Sequence, residues 1–230
     1  MTESTAASRH RSRGQKVKDF VTFPLRAVTL FEDARWGLSD LATERFDYVG
    51  REVTGYCLDV GCGRRNRLIN EYLDGNGKGV DVFRYEGLED DQILADPAQF
   101  PFDDGSFDSM TFIANINHVP EPLRDAELAE AYRCLRPAGA IVMTMGNPVA
   151  ELLVHRVVAW HDRLFGTSHD MDGERGMVEG EAYFLRDAEI LQRLRRAGFT
   201  NIRKKHFLTQ WGLNHLFVGA KPGMDAHGNS

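Results

Sequence analysis

The chain predicts an α/β fold, a mostly parallel seven-stranded sheet with helices on both faces. Short apolar runs at 56–60, 78–82, 92–95, 109–114, 140–145, 200–207 and 215–220 alternate with helical patterns at 64–73, 125–135 and 187–197. Strands linked by crossover helices form parallel sheets. The run Tyr56-Cys57-Leu58-Asp59-Val60-Gly61-Cys62-Gly63 ends in an acid and two spaced glycines, as a buried strand does when it turns sharply into a ligand loop. With 230 residues, 42% of them hydrophobic, the chain is long enough for one well-buried domain with additions and too short for two large ones.

Taken in order, residues 1–16 are rich in Ser, Thr, Ala, Arg and His and read as a disordered tail; residues 223–230 read the same way. Over 17–53, Phe20, Phe23, Trp36, Leu41, Phe46 and Val49 supply the apolar faces of an N-terminal helical cap, with Pro24 breaking or starting one helix. The stretch from Phe20 to Phe31, with Arg26 and the flanking lysines, also admits a membrane-surface role. The core runs over 54–146. An insertion follows at 147–184: Asn147-Pro148 makes an N-cap and first turn, and Val149, Leu152, Leu153, Val157, Trp160 and Leu164 recur at helical spacing. The polar loop 167–176 then reads as a lid or a wall of the acceptor pocket. Residues 185–222 complete the core, with Gly198 closing the 187–197 helix.

Parallel sheets bind ligands at the carboxyl ends of their strands, where the sequence places three acids, Asp59, Asp81 and Asp96. Gly61 and Gly63, with Cys62 between them, let a ligand approach the backbone. Asp81, followed by Val82, stands twenty residues beyond Gly61, where a carboxylate accepts two ribose hydroxyls. Asp96, followed by Pro97, is placed to accept from an exocyclic amine. A nucleoside is the expected ligand. Any one of these acids also fits a turn or a helix cap; their common placement favours binding. Beyond the 109–114 strand, Asn115 and Asn117 are placed to orient an acceptor or to cap the next helix. His118 has the side chain suited to moving a proton near neutral pH, although the same ring could simply pack or bond a loop carbonyl.

The ordered series Asp59-Val60-Gly61-Cys62-Gly63, Asp81, Asp96 with Phe100-Pro101-Phe102, and Leu135-Arg136-Pro137-Ala138-Gly139 resembles the motifs of class I S-adenosylmethionine-dependent methyltransferases. The similarity is greatest to the small-molecule branch that includes ubiquinone and menaquinone biosynthesis enzymes, and it spans roughly 55–144. It implies a Rossmann-like fold closed by an antiparallel C-terminal hairpin, S-adenosyl-L-methionine as cofactor, and methyl transfer to a small-molecule acceptor by in-line displacement. Under this resemblance Asp59, Gly61, Cys62 and Gly63 lie at the methionine end, Asp81 and Val82 at the ribose, and Asp96 and Pro97 at the adenine. Asn115 joins the cofactor set, His118 is the candidate base, and the N-terminal helices cover the acceptor pocket. Two positions depart from the pattern: Arg65 stands where a third loop glycine is common, and Ala138 replaces the first of a glycine pair.

Other readings remain open at this point. A methyltransferase-like subunit that binds cofactor or partner without turnover has the same motifs. An NAD-dependent oxidoreductase shares the strand-glycine opening, but its third glycine falls at Asn66. The formal charge of −6 and pI near 5.8 give no basic field for nucleic acid. Cys57, Cys62 and Cys134 form no Cys-x-x-Cys pair, so neither a disulfide framework nor a zinc site is expected. His155, His161, His169, Asp170, Asp172 and Glu174 lack metal-ligand spacing. No window reaches the ~18 apolar residues of a membrane span. The expectation is a cytoplasmic enzyme with a small-molecule acceptor and no metal; a homodimer is compatible.

Overall fold

Strand β1 (Cys57–Val60) is buried at all four positions, and such a segment is stable only between two neighbours that satisfy its backbone on either side. Those neighbours are β2 (Gly77–Val80) and β3 (Phe107–Ile113), both parallel to it. The computed structural model describes residues 10–29, 34–85, 87–147 and 185–223. Among them, β4 (Leu135–Gly146) lies parallel to β3, while β5 (Thr200–His206) and β6 (Asn214–Ala220) close the sheet antiparallel. The strand order is β2-β1-β3-β4-β6-β5. The chain winds outward from β1 to β2 and returns to the other side at β3, a reversal that opens a crevice beyond the carboxyl ends of β1 and β3.

Among the described residues, three helices precede the sheet: α1 (Arg13–Val21), α2 (Phe23–Thr29) and α3 (Leu41–Gly50). Helix α4 (Glu121–Cys134) joins β3 to β4, and α5 (Asp187–Arg196) precedes β5. Alternation along β4 sends Ile141, Met143 and Met145 into one buried cluster with Leu128 of α4 and Ile190 and Leu194 of α5. Val142 enters a second cluster with Val49 of α3 and Leu216 and Val218 of β6.

Four sequence expectations are corrected. The sheet has six strands among the described residues, not seven. The run at 92–95 contributes only an isolated parallel bridge between Asp81 and Ile93, because a 3-10 turn at Asp90–Gln92 precedes it and a turn at Asp96 follows. The helix expected at 64–73 is reduced to a π-helical turn at Leu68–Tyr72, since Asn66 adopts φ +43° and interrupts its start.

The tail expected at 1–16 is folded from residue 10. Ser12 caps α1 by accepting the Gln15 N–H at 3.1 Å. Buried Arg11 pairs with Asp19 at 2.8 Å, Glu44 at 2.5 Å and Asp47 at 3.2 Å. Three carboxylates around one guanidinium supply the order that the composition does not announce. Arg26 is also wholly buried; it pairs with Glu44 at 2.7 Å and donates to the carbonyls of Ser39 and Thr209. Residues 148–184, with the expected lid and its histidines, lie outside the described residues.

Candidate active site

The glycine loop leaves β1 at Gly61, whose φ is +74°. A Cβ there would sit 2.5 Å from Cγ of Asn115, so only glycine fits. Asn115 is that close because its amide donates to the Val60 carbonyl at 3.0 Å, fastening the end of β1 to the turn after β3. Gly63 has φ +67°, and a Cβ built on it meets nothing within 4 Å. The loop is thus closed on its Gly61 side and open at Gly63, the side on which a ligand has room. Asn66, at the position of a third glycine in a dinucleotide loop, takes a left-handed conformation that asparagine tolerates. It packs on Gly79, where a Cβ would fall 2.2 Å from the Asn66 Oδ1.

Asp81 is the hinge of the site. Its Oδ2 accepts the Gly63 N–H at 3.0 Å, and its Oδ1 accepts the Phe83 N–H at 2.9 Å. Each carboxylate oxygen has a further lone pair, so the group retains acceptor capacity for hydroxyl donors. Val82 and Phe83, both exposed, give an apolar rim beside it.

Asp59 does not stand on that rim. It is 1% exposed and accepts the Thr111 hydroxyl at 2.6 Å, a partner fixed by the register that pairs Asp59 with Thr111 across β1 and β3. Burial pushes its carboxyl up to about 7, against the Thr111 hydrogen bond and with a smaller push from Asp81. Cys62 is buried too, and desolvation, with Asp59 and Asp81 adding to it, raises its thiol far above the ordinary value. It stays protonated near neutral pH, which does not suit a nucleophile.

Asp96 is exposed, and its side chain accepts the Ala98 N–H at 2.8 Å, a local turn bond of the kind weighed against ligand binding above. Pro97 lies within that turn. His118 is half-buried, with its backbone N–H donating to the Asn115 carbonyl at 2.8 Å. The turn that presents it begins at Ala114, which holds φ +50° and donates to the Thr144 hydroxyl at 3.0 Å. A non-glycine residue at such an angle is uncommon and marks an over-determined turn.

The structure therefore brings Asp59, Gly61, Cys62, Gly63, Asp81, Val82 and Asn115 to one corner of the sheet. Asp96 is held in its own local turn, and His118 joins the set through its backbone bond to Asn115. Sequence reasoning missed Thr111 and Tyr85. Thr111 is legible only once β1 and β3 are in register. Burial and the nearby Asp81 and Cys62 raise the Tyr85 phenol, and Arg64 opposes them, so Tyr85 belongs to the loop's surroundings. An open cleft of about 430 Å³ beside edge strand β2, lined among others by Arg64, Arg65 and Lys78, includes none of the expected cofactor residues.

Residues 58–143 match the methyltransferase domain family. The ubiquinone/menaquinone biosynthesis C-methyltransferase UbiE of Brucella suis is 25% identical over 218 residues, covering 90% of this chain and 75% of that protein. The protein of that name from Desulfotalea psychrophila is 28% identical, covering 82% and 83%. Relatives of the same name from other Brucella species align over 63% of their own length. Among solved structures, the 1,6-didemethyltoxoflavin-N1-methyltransferase of Burkholderia thailandensis superposes with a TM-score of 0.53 at 17% identity, covering 77% of this chain and 76% of that one. At that identity the likeness speaks to fold. The crevice, the glycine loop and the matched segment make residues 58–143 similar to the domain of class I S-adenosylmethionine-dependent methyltransferases. In sequence the chain is UbiE-like, and the NAD-dependent and non-catalytic readings are not favoured.

Proposed function

We propose that the protein transfers a methyl group from S-adenosylmethionine to a small-molecule acceptor, with the cofactor held across the carboxyl ends of β1, β2 and β3. The observation that carries the proposal is the linkage of Asp81 to Gly63: a carboxylate with spare acceptor capacity is fixed against a loop glycine that has open space where a Cβ would lie. These residues fit a nucleoside whose ribose hydroxyls bond Asp81 and Val82 lies alongside. Gly61, Cys62 and Gly63 face the methionine end, and Asn115 holds the loop in place. Asp59 supports this loop from beneath through Thr111. Asp96 and Pro97 are assigned to the adenine amine, which requires Asp96 to exchange or share its bond to Ala98.

The cofactor supplies an electrophilic methyl group, so the chain's main task is to align an acceptor atom with it. His118 is proposed to take the acceptor's proton where the acceptor is a phenol, a hydroxyl or an acidic carbon. The UbiE names of the relatives point to a C-methylation of a quinone precursor or a compound of similar chemistry. Helix α1 packs on the turn at Leu208–Gln210, which precedes β6, and Arg26 of α2 donates to the Thr209 carbonyl within it. Because β6 begins opposite Gly146, this turn lies on the same rim as the crevice, supporting a role for the N-terminal helices in bounding the acceptor side. The net charge of −6 favours a small acceptor over nucleic acid, in keeping with a cytoplasmic enzyme.

Thermal melting with S-adenosylhomocysteine and with NAD tests the cofactor, since a ligand of the native state raises the melting temperature. A rise with S-adenosylhomocysteine alone is expected. A rise with NAD alone contradicts the proposal.

A further inference from the structure

The N-terminal helices leave an apolar face uncovered. Val17, Phe20 and Val21 share one side of α1, Leu25 follows on α2, and Leu208 and Trp211 come from the turn before β6; each is 49–70% exposed. They are contiguous, because the Phe20 and Trp211 rings lie 6.2 Å apart and the Trp211 indole N–H donates to the Phe20 carbonyl at 2.9 Å. A cluster of this kind on a soluble domain marks a docking surface.

The charge beside it identifies the partner. The solvent-facing charges on α1, Arg13 and Lys18, are both positive, because Lys16 is half-buried against Asp47 at 3.7 Å and the one acid, Asp19, is buried against Arg11. Helix α2 adds no exposed charge, since Arg26 is fully buried. The chain as a whole carries −6, so this basic rim opposes the overall sign. We propose that the face formed by α1, α2 and Trp211 docks on the surface of an anionic phospholipid bilayer, with the aromatic and aliphatic side chains in the interface and Arg13 and Lys18 over the headgroups.

Two further observations favour lipid over protein. The polar atoms within the face are already satisfied: Thr22 donates to the Lys18 carbonyl and Trp211 to Phe20. Protein interfaces need many directional hydrogen bonds, whereas a fluid lipid surface needs none. A second copy of the chain would bring like charges together around any twofold axis. Among the described residues no helix is long and apolar enough to cross a membrane, so the contact is peripheral. The face also shares the rim of the crevice, so docking there sets the acceptor side toward the bilayer. None of this depends on which acceptor is methylated.

Co-sedimentation with vesicles of phosphatidylcholine, with and without phosphatidylglycerol, tests the proposal on the full chain. Binding is expected to be about tenfold stronger with phosphatidylglycerol, and to weaken as salt rises. The double variant V21E/L208E is expected to lose at least about tenfold of that binding while its melting temperature and S-adenosylhomocysteine affinity match wild type; each single variant should fall between. Equal vesicle binding by wild type and V21E/L208E overturns the proposal, as does absence of binding to either vesicle. So does a wild-type dimer in light scattering that V21E/L208E dissociates, which would assign the face to a second copy.

Discussion

The Asp81 carboxylate accepts the Gly63 N–H at 3.0 Å through one oxygen and the Phe83 N–H at 2.9 Å through the other, so a single side chain ties the β1 loop to the end of β2. The loop is organised before any ligand arrives, and less entropy is lost when one binds. Asp81 thus has a structural duty beside the one proposed for it toward the ribose.

Gly61 and Gly63 should respond differently to alanine. At Gly61 the new Cβ meets the Asn115 side chain at 2.5 Å, and we predict a loss of stability of at least about 2 kcal/mol from strain and displaced packing. At Gly63 the Cβ meets nothing within 4 Å, so the stability loss should stay near the ~1 kcal/mol of a left-handed alanine, while cofactor binding falls more steeply. Urea unfolding paired with calorimetry separates the two; equal losses in both measurements for both variants would count against the open side of the loop.

Asp59 predicts a pH dependence. Burial raises its folded-state carboxyl to about 7, well above the ordinary aspartate value of about 3.9, so between these values the native state holds a proton that the unfolded chain has released. Stability from this group is full below about 4, declines as pH rises through that window and levels off above 7. Asp59→Asn, which cannot ionise, should lose less stability than wild type between pH 5 and 8, by an amount on the order of a few kcal/mol. Parallel melting curves across that range would show that Asp59 ionises normally.

Arg26 is predicted to be the most sensitive position in the N-terminal helices. Replacing it with Met leaves Glu44 with Arg11 as its remaining charge partner and strips three carbonyls of their donor. The expected destabilisation is about 3–5 kcal/mol. Arg26→Met with Glu44→Gln should be milder than Arg26→Met alone, which chemical denaturation can check; a double variant as unstable as the single would mean that the charge pair is not the reason.

His118→Gln should lower kcat by about 10²–10⁴-fold for an acceptor that must lose a proton, with S-adenosylhomocysteine affinity unchanged. Retained turnover would contradict a role for His118 as the base.

The parallel order of β1 to β4 and the closing pair β5 and β6 were legible because apolar runs, glycine turns and acids recur at fixed places. Three features escaped for physical reasons. Arg11 and Arg26 read as exposed charge because nothing local shows that Asp19, Glu44 and Asp47 surround them. Ile93 and Leu94 have the composition of a strand, but the tight turns on either side leave length for one bridge. Asp59 looked like a rim acid from its place at a strand end; only the pairing with Thr111 shows that its side chain turns inward.

The most direct test is calorimetric titration of S-adenosylhomocysteine into wild type and Asp81→Asn, with unfolding measured in parallel. Asparagine keeps the shape but supplies one carbonyl acceptor in place of a charged pair, so affinity should fall by about 1.5–3 kcal/mol in a variant that still folds. Undiminished affinity in a folded Asp81→Asn protein would contradict the account.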